Sequence, residues 1–424
     1  VAGQSKILSA YLGLTRLLEP VYRLVVARRK RAGKEHPERF AERFGQTEHP
    51  RPAGPVIWMH AASVGETQSL LGLIPALLAA RPDLSIVLTS GTVTSAKLLA
   101  RDLPDRAIHQ FAPVDTPNAV RRFLDHWRPD LAIWVESEIW PRMLIETKAR
   151  GIPMMLLNAR VSPKTLERWG KARRAAEQLF AQFDHILVQD SATFDLLGTL
   201  GLPESKRALT GSLKAELAPP LPADGDVDGL LAHLKARLTW LAASTHEGED
   251  ALVLEAHQAL AQERLLILVP RHPERGAAIA ALARAQGFNV AQRSHQEMLA
   301  AETQVYIADT LGEMGLWYRA SQVSFIGGSL VAGVGGHNPY EPILLGSNVV
   351  TGPHTENFAD IYQALSQTDA CSVAEDPVAL VEAVRELSDA GIAGPMLARA
   401  QQCLQSDKSV THSVRDQVLA LLPV

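Results

Sequence analysis

Along residues 56–212, short apolar runs alternate with polar or glycine turns and helical stretches. The runs fall at 56–59, 86–89, 131–135, 154–157, 186–188 and 208–210. Unbroken apolar strands alternating with helices predict a parallel sheet covered on both faces. The stretch 217–229 then turns rich in Pro, Gly and Asp, the composition of a linker. A second series follows, with strands at 240–243, 265–269, 305–308, 323–326 and 349–351. A last helical stretch, 394–422, could pack back across the cleft. The pattern predicts an α/β protein with two Rossmann-like, doubly wound domains, 46–216 and 230–424, facing a central cleft. Ligands are then expected outside the carboxyl ends of the strands.

Residues 1–45 read differently. The apolar stretch 7–26 is interrupted by Arg16, Glu19 and Arg23, which argues against a spanning helix. Arg28, Arg29, Lys30, Arg31 and Lys34 follow, so an apolar-faced helix beside a basic cluster is expected to lie on an anionic membrane surface. A self-packed helix with a solvated charged end is the alternative. The net charge of −4 hides this asymmetry, because residues 1–43 hold ten Lys and Arg against four Asp and Glu. No small-residue cleavage site follows the apolar run, so no cleavable leader is expected. Cys371 and Cys403 give neither a disulfide framework nor a thiolate metal cluster, and point to a reducing compartment. No nucleic-acid partner is expected.

The strand-end loops of the second series share one chemical character. After 323–326 comes a glycine-rich loop, then Asn338, Pro339 and Glu341 at the spacing of a helix start. Either Asn338 and Glu341 only cap that helix, or phosphate sits at Gly335 and Gly336 while Glu341 accepts from ribose hydroxyls. Arg271 and His272 follow 265–269, and Arg offers a planar fork for phosphate or a pyrimidine carbonyl. Gly312, Glu313 and Met314 open a helix after Asp309. After 240–243, Ser244 or Thr245 stands at an expected helix start, with Glu247 at capping distance from Ser244. Four such loops at successive strand ends point to a phosphorylated nucleotide.

In the first series, Ser63, Gly65 and Glu66 follow the opening strand, Ser63 and Glu66 again at capping spacing. Glu136 and Glu138 follow 131–135 as paired carboxylates for sugar hydroxyls or a basic residue. Asn158, Arg160, Ser162 and Lys164 offer donors for an anionic acceptor. Glu42 lies between Arg39 and Arg43; in a helix the two arginines would share a face with Glu42 beside them, or the segment is a mixed-charge surface turn. No metal site is expected.

HAASVGET, ESEIWP, NARVS, TGSLK, AASTHEGE, LILVPRHPER and GGSLVAGVGGHNPYEP…GPHTENF, taken in order, resemble the 3-deoxy-D-manno-octulosonic acid (Kdo) transferases of lipopolysaccharide biosynthesis. The resemblance implies the GT-B glycosyltransferase architecture and attachment to the cytoplasmic face of the inner membrane. It implies inverting transfer of Kdo from CMP-Kdo to the distal glucosamine hydroxyl of a lipid A precursor, without cofactor or metal. By motif position it casts Glu42 as catalytic base and Arg271, His272, Gly312, Met314, Asn338 and Glu341 as nucleotide contacts. Ser63, Gly65, Glu66, Glu136 and Arg160 fall on the acceptor side. Tyr340 and Pro342 depart from the pattern, where Leu and a small residue are usual. A GT-B transferase for another nucleotide sugar and a non-catalytic peripheral nucleotide-binding protein are the competing expectations.

Overall fold

The structure, a computed structural model, describes residues 5–161, 170–216, 218–219, 221–222, 227–405 and 410–423. The chain divides into two compact units, Val1–Lys214 with Ser409–Val424, and Ala215–Lys408. The expected linker 217–229 lies partly outside the described residues, and its end already belongs to the helix Val227–Lys235.

The first unit carries strands β1 (Val56–His60), β2 (Ser85–Ser90), β3 (Ala107–Phe111), β4 (Leu131–Val135), β5 (Met154–Ala159), β6 (His185–Val188) and β7 (Arg207–Leu209). They form one parallel sheet in the order β3-β2-β1-β4-β5-β6-β7. Side chains alternate across it with a period of two. Val56 and Trp58 join a core with Val87, Trp134 and Phe123, whereas Ile57 and Met59 join another with Ile86, Leu88 and Ile133. Trp58 meets Trp134 edge-on at 4.9 Å between ring centroids. The second core is completed by the last helix, Val410–Leu419, which lies against the helix Leu73–Ala80 and buries Val410, Val414 and Val418.

The second unit holds β8 (Thr239–Thr245), β9 (Leu265–Pro270), β10 (Val290–Gln292), β11 (Val305–Ile307), β12 (Val323–Ile326), β13 (Asn348–Thr351) and β14 (Ser372–Val373). They run parallel in the order β10-β11-β9-β8-β12-β13-β14. Here Trp240 and Ala242 face one core while Leu241 and Ala243 face the other. Strand order reverses between β1 and β4 in the first sheet and between β8 and β12 in the second. A doubly wound sheet opens a crevice at that reversal, past the carboxyl ends of the strands.

The N-terminal helices Lys6–Leu17 and Glu19–Arg31 rest on the first unit by one side. Leu8 and Thr15 are buried, and the Tyr11 hydroxyl donates to Asp115 Oδ2 at 2.8 Å. Ile7, Leu14, Leu17, Val21, Leu24 and Val25 are left exposed, Leu17 and Leu24 at 77% and 71%. Among the described residues no helix is long and apolar enough to cross a membrane.

Candidate active site

In the first unit the chain leaves β1 through Ala61 and Ala62 and enters the short helix Val64–Ser69 with Ser63 as its N-cap. Ser63 Oγ accepts from the Glu66 amide at 3.3 Å and donates to Glu66 Oε1 at 2.7 Å; the Ala62 amide donates to Glu66 Oε2 at 2.8 Å. The cap is real, and it also holds a buried carboxylate at the mouth of the β1/β4 reversal. Gly65 is exposed, and a Cβ there would meet nothing within 4 Å, so no contact inside the chain requires glycine. Across the reversal, Glu136 stands at the end of β4 with φ +58°, ion-paired to Lys214, and Glu138 accepts from Trp140 Nε1 at 3.0 Å.

Burial, the largest cause, pushes the Glu66 carboxyl up from 4.5 to about 7. The Ser63 hydroxyl and Ala62 amide pull it down, while the charges of Glu136 and Glu138 push it further up. Arg160, half-buried at the end of β5, has its pKa lowered by burial, with Asp190 and Glu136 opposing. Ser63, Gly65, Glu66, Glu136 and Arg160 thus gather around one strand-order reversal. Ser162 and Lys164 lie outside the described residues.

Glu42 sits on a 3₁₀ helix, Arg39–Phe44, where three residues make a turn. That geometry corrects the expectation of two arginines sharing a face. Residues i and i+3 eclipse, so Arg39 pairs with Glu42 through two contacts of 2.7 and 3.0 Å. Glu42 Oε2 also accepts from the Phe111 amide at 2.7 Å, and the residue is only 6% exposed. Arg43 turns inward to Glu35 Oε2 at 3.0 Å and the Ala112 carbonyl at 3.2 Å. Glu42 therefore ties this segment to the end of β3 and leaves both carboxylate oxygens engaged.

The second unit departs from expectation at its first loop. β8 continues through Thr245, with Ser244 inside it at φ +57°, and the next helix, Glu249–Gln258, is capped by Gly248. Ser244 and Glu247 make no capping box. The carboxylate that matters is Glu249, fully buried, which accepts from the His246 amide at 2.9 Å. It also accepts from the amides of Gly328, Ser329 and Leu330 at 2.6, 2.9 and 2.9 Å. It therefore bridges the β8/β12 reversal.

The Gly336 amide donates to the Gly328 carbonyl at 2.7 Å, so these four glycine-loop donors are already spent on the protein itself. Asn338 does not cap as expected either. Its Oδ1 accepts from the Tyr340 amide at 2.9 Å and its Nδ2 donates to Glu341 Oε1 at 3.1 Å, and the helix Tyr340–Leu344 starts after Pro339. Tyr340 is 5% exposed and packs in the core, which gives this departure from the family pattern a structural use.

An arginine and three histidines stand near this loop instead. Arg271 and His272 are both exposed at the end of β9. His246 and His337 stack at 5.1 Å, with 2.8 Å between their Nε2 atoms. His272 approaches His246 edge-on at 6.1 Å. Burial first, then His246, Arg271 and His272, push His337 down to about 4. Gly312, at φ +87° in open space, and half-buried Met314 begin the helix after β11. No three His, Cys, Asp or Glu among the described residues are grouped to hold a metal ion.

The family model for 3-deoxy-D-manno-octulosonic-acid transferase (kdotransferase) matches residues 38–217. A 3-deoxy-D-manno-octulosonic acid transferase of Haemophilus influenzae is 36% identical over 362 residues, 84% of this chain and 81% of that protein. The chain belongs to this transferase family. The Kdo transferase of Bordetella pertussis is also 36% identical, over 81% of this chain and 82% of its own length. The Anabaena protein HepE, solved with UDP and glucose, is 13% identical with a TM-score of 0.58, covering 86% of this chain and 100% of that one. That likeness shows the fold alone: two parallel seven-stranded sheets with helices, two Rossmann-like domains of the GT-B class.

Within this Kdo transferase, sequence reasoning had not singled out Lys214, His246, Glu249 or His337. Lys214 meets Glu136 from 78 positions away in the chain, which no local spacing encodes. His246 and His337 each follow a strand end in a glycine-containing loop, and that repetition was the available signal.

Proposed function

We propose that this chain moves Kdo from CMP-Kdo to the distal glucosamine hydroxyl of a lipid A precursor with inversion, and that Glu66 rather than Glu42 is the base. The observation that carries the base assignment is the position of Glu66, buried, hydrogen-bonded to Ser63 and the Ala62 amide, and within the field of Glu136 and Glu138, with its carboxyl pushed to about 7. A base is most effective when its pKa lies near the working pH. Glu66 takes the hydroxyl proton, the freed oxygen attacks the anomeric carbon, and the bond from that carbon to the CMP phosphate oxygen breaks with its electron pair. The leaving phosphate gains charge, which Arg271 and the His246–His337 pair stabilise. Glu136, held by Lys214, and Arg160 orient the acceptor.

Incubation with CMP-Kdo and a tetra-acylated lipid A precursor is expected to yield, by mass spectrometry, a product heavier by whole Kdo residues. CMP is expected to raise the melting temperature where UDP and ADP do not, since only a ligand bound by the folded chain protects it. Protection by UDP in place of CMP would favour a different nucleotide sugar. Protection by CMP without product would count against the acceptor.

The same proposal places the enzyme on the cytoplasmic face of the inner membrane. Support comes from the six exposed aliphatic side chains of the two N-terminal helices, followed at once by Arg28, Arg29, Lys30 and Arg31. The protein is expected to pellet with anionic phospholipid vesicles and to stay bound at high salt, because apolar insertion is not screened. The double variant Leu17→Glu, Leu24→Glu should release. Full release of the parent by salt alone would mean attachment by charge only.

A further inference from the structure

A basic cavity lies at the end of the second sheet where β8 and β12 begin. It has a volume of about 380 Å³ and is lined by Lys235, Arg237, Arg264, Arg319 and Ser321, among others, with no Asp or Glu in its wall among the described residues. Arg237 is fixed by the Ala300 and Thr303 carbonyls at 3.1 and 2.8 Å, and Arg319 by those of Pro219 and Gly315 at 3.1 and 2.9 Å. Carbonyls hold a guanidinium in place without cancelling its charge. Arg264 Nε and the hydroxyl of Ser321, a residue 3% exposed, are buried without a hydrogen-bond partner. Burial lowers the Arg264 pKa, as does the nearby charge of Arg385, and the field of Glu263 opposes them.

Unpaired buried donors are costly to a fold, and each one calls for an explanation. Four cations converging without a carboxylate supply it if an anion belongs there. The volume falls in the range of small-ligand pockets, roughly 300–1,000 Å³, so the anion has room to carry an organic group. From these features we infer that the cavity binds a phosphate monoester through its four cationic side chains. β8 has seven residues, which at a rise of about 3.3 Å each puts the cavity about 20 Å from the nucleotide loops. It is a separate site from the one that holds CMP, and it does not depend on the identity of the donor.

Thermal unfolding of the whole chain in sodium phosphate, against sodium chloride at matched ionic strength, tests the inference. Phosphate should raise the melting temperature beyond chloride, and a hexose 6-phosphate should act at lower concentration. Arg264→Ala should raise the concentration needed by roughly ten- to a hundredfold, the loss of a charge-assisted hydrogen bond. Lys235→Gln, on the exposed rim, should weaken it less. Equal responses to phosphate and chloride would overturn the site, as would full protection in both Arg264→Ala and Lys235→Gln. Pelleting with phosphatidic acid vesicles that is lost in Arg264→Ala would make a lipid headgroup the source of the phosphate. Protection by the soluble esters without such pelleting would make it a free metabolite.

Discussion

Glu66→Gln is expected to cut kcat a hundred- to ten-thousandfold, the usual worth of a positioned base, while CMP protects the variant as well as the parent. Gln keeps the size of the side chain and can still accept from the Ala62 amide, so the loop Ala62–Ser63 has little reason to move. In the parent, kcat/KM should rise with pH up to about 7, where the Glu66 carboxyl loses its proton, and then level off. In the variant that limb should vanish. Stability should move the other way. The folded chain keeps the Glu66 proton to about pH 7, whereas an unfolded chain releases it near 4.5. The favourable contribution is therefore whole below pH 4.5 and is lost as pH rises through 7. Gln never ionises, so above pH 7 the variant should be more stable than the parent, by something of the order of 3 kcal/mol. A merely structural Glu66 would instead give a variant that is only mildly slower and keeps the limb in kcat/KM. Glu42→Gln supplies the contrast: it breaks the Arg39 pair, so its main effect should be a lower melting temperature.

Glu249→Ala should be the most damaging single change in the second unit. It would strand four amides, those of His246, Gly328, Ser329 and Leu330, beside a carboxylate-sized hole. Removing one partner from a buried charged cluster typically costs about 3–5 kcal/mol. For a unit of this size that is a fall in melting temperature of roughly 6–20 °C. CMP protection should fall with it, because the same contacts fix the glycine loop and place His246 against His337. Glu249→Gln should fall between the two, since its amide nitrogen must face a backbone donor. A Glu249→Ala protein that melts with the parent and binds CMP as well would show that water or a neighbour satisfies those amides.

Much of the architecture was readable because buried parallel strands are written as unbroken apolar runs. Val323–Ile326 and Leu131–Val135 were located to the residue. The strands Ala107–Phe111, Val290–Gln292 and Ser372–Val373 were not seen. All three lie at the sheet edges; two have only three and two residues, and Ala107–Phe111 carries His109 and Gln110, so they leave no apolar run. At the site, spacing found the Ser63–Glu66 cap but could not weigh the burial that raises the Glu66 pKa, nor the smaller push from Glu136 and Glu138 on another loop. The same spacing misled at Ser244, where the strand runs two residues past its apolar stretch and moves the cap to Gly248. Glu42 drew attention through its neighbours Arg39 and Arg43; in the fold Arg39 and the Phe111 amide occupy it, while Arg43 turns away to Glu35.

The helix Val410–Leu419 has a consequence for synthesis. Its apolar side covers Leu73, Ile74 and Leu77 of the first unit, although the whole of the second unit is made in between. As the chain emerges from the ribosome, the first sheet is formed early but keeps an open apolar flank until the final residues appear. The second unit can mature first, and the first-made half is sealed last. Nascent chains stalled before residue 410 should therefore engage chaperones through the surface that this helix will later cover.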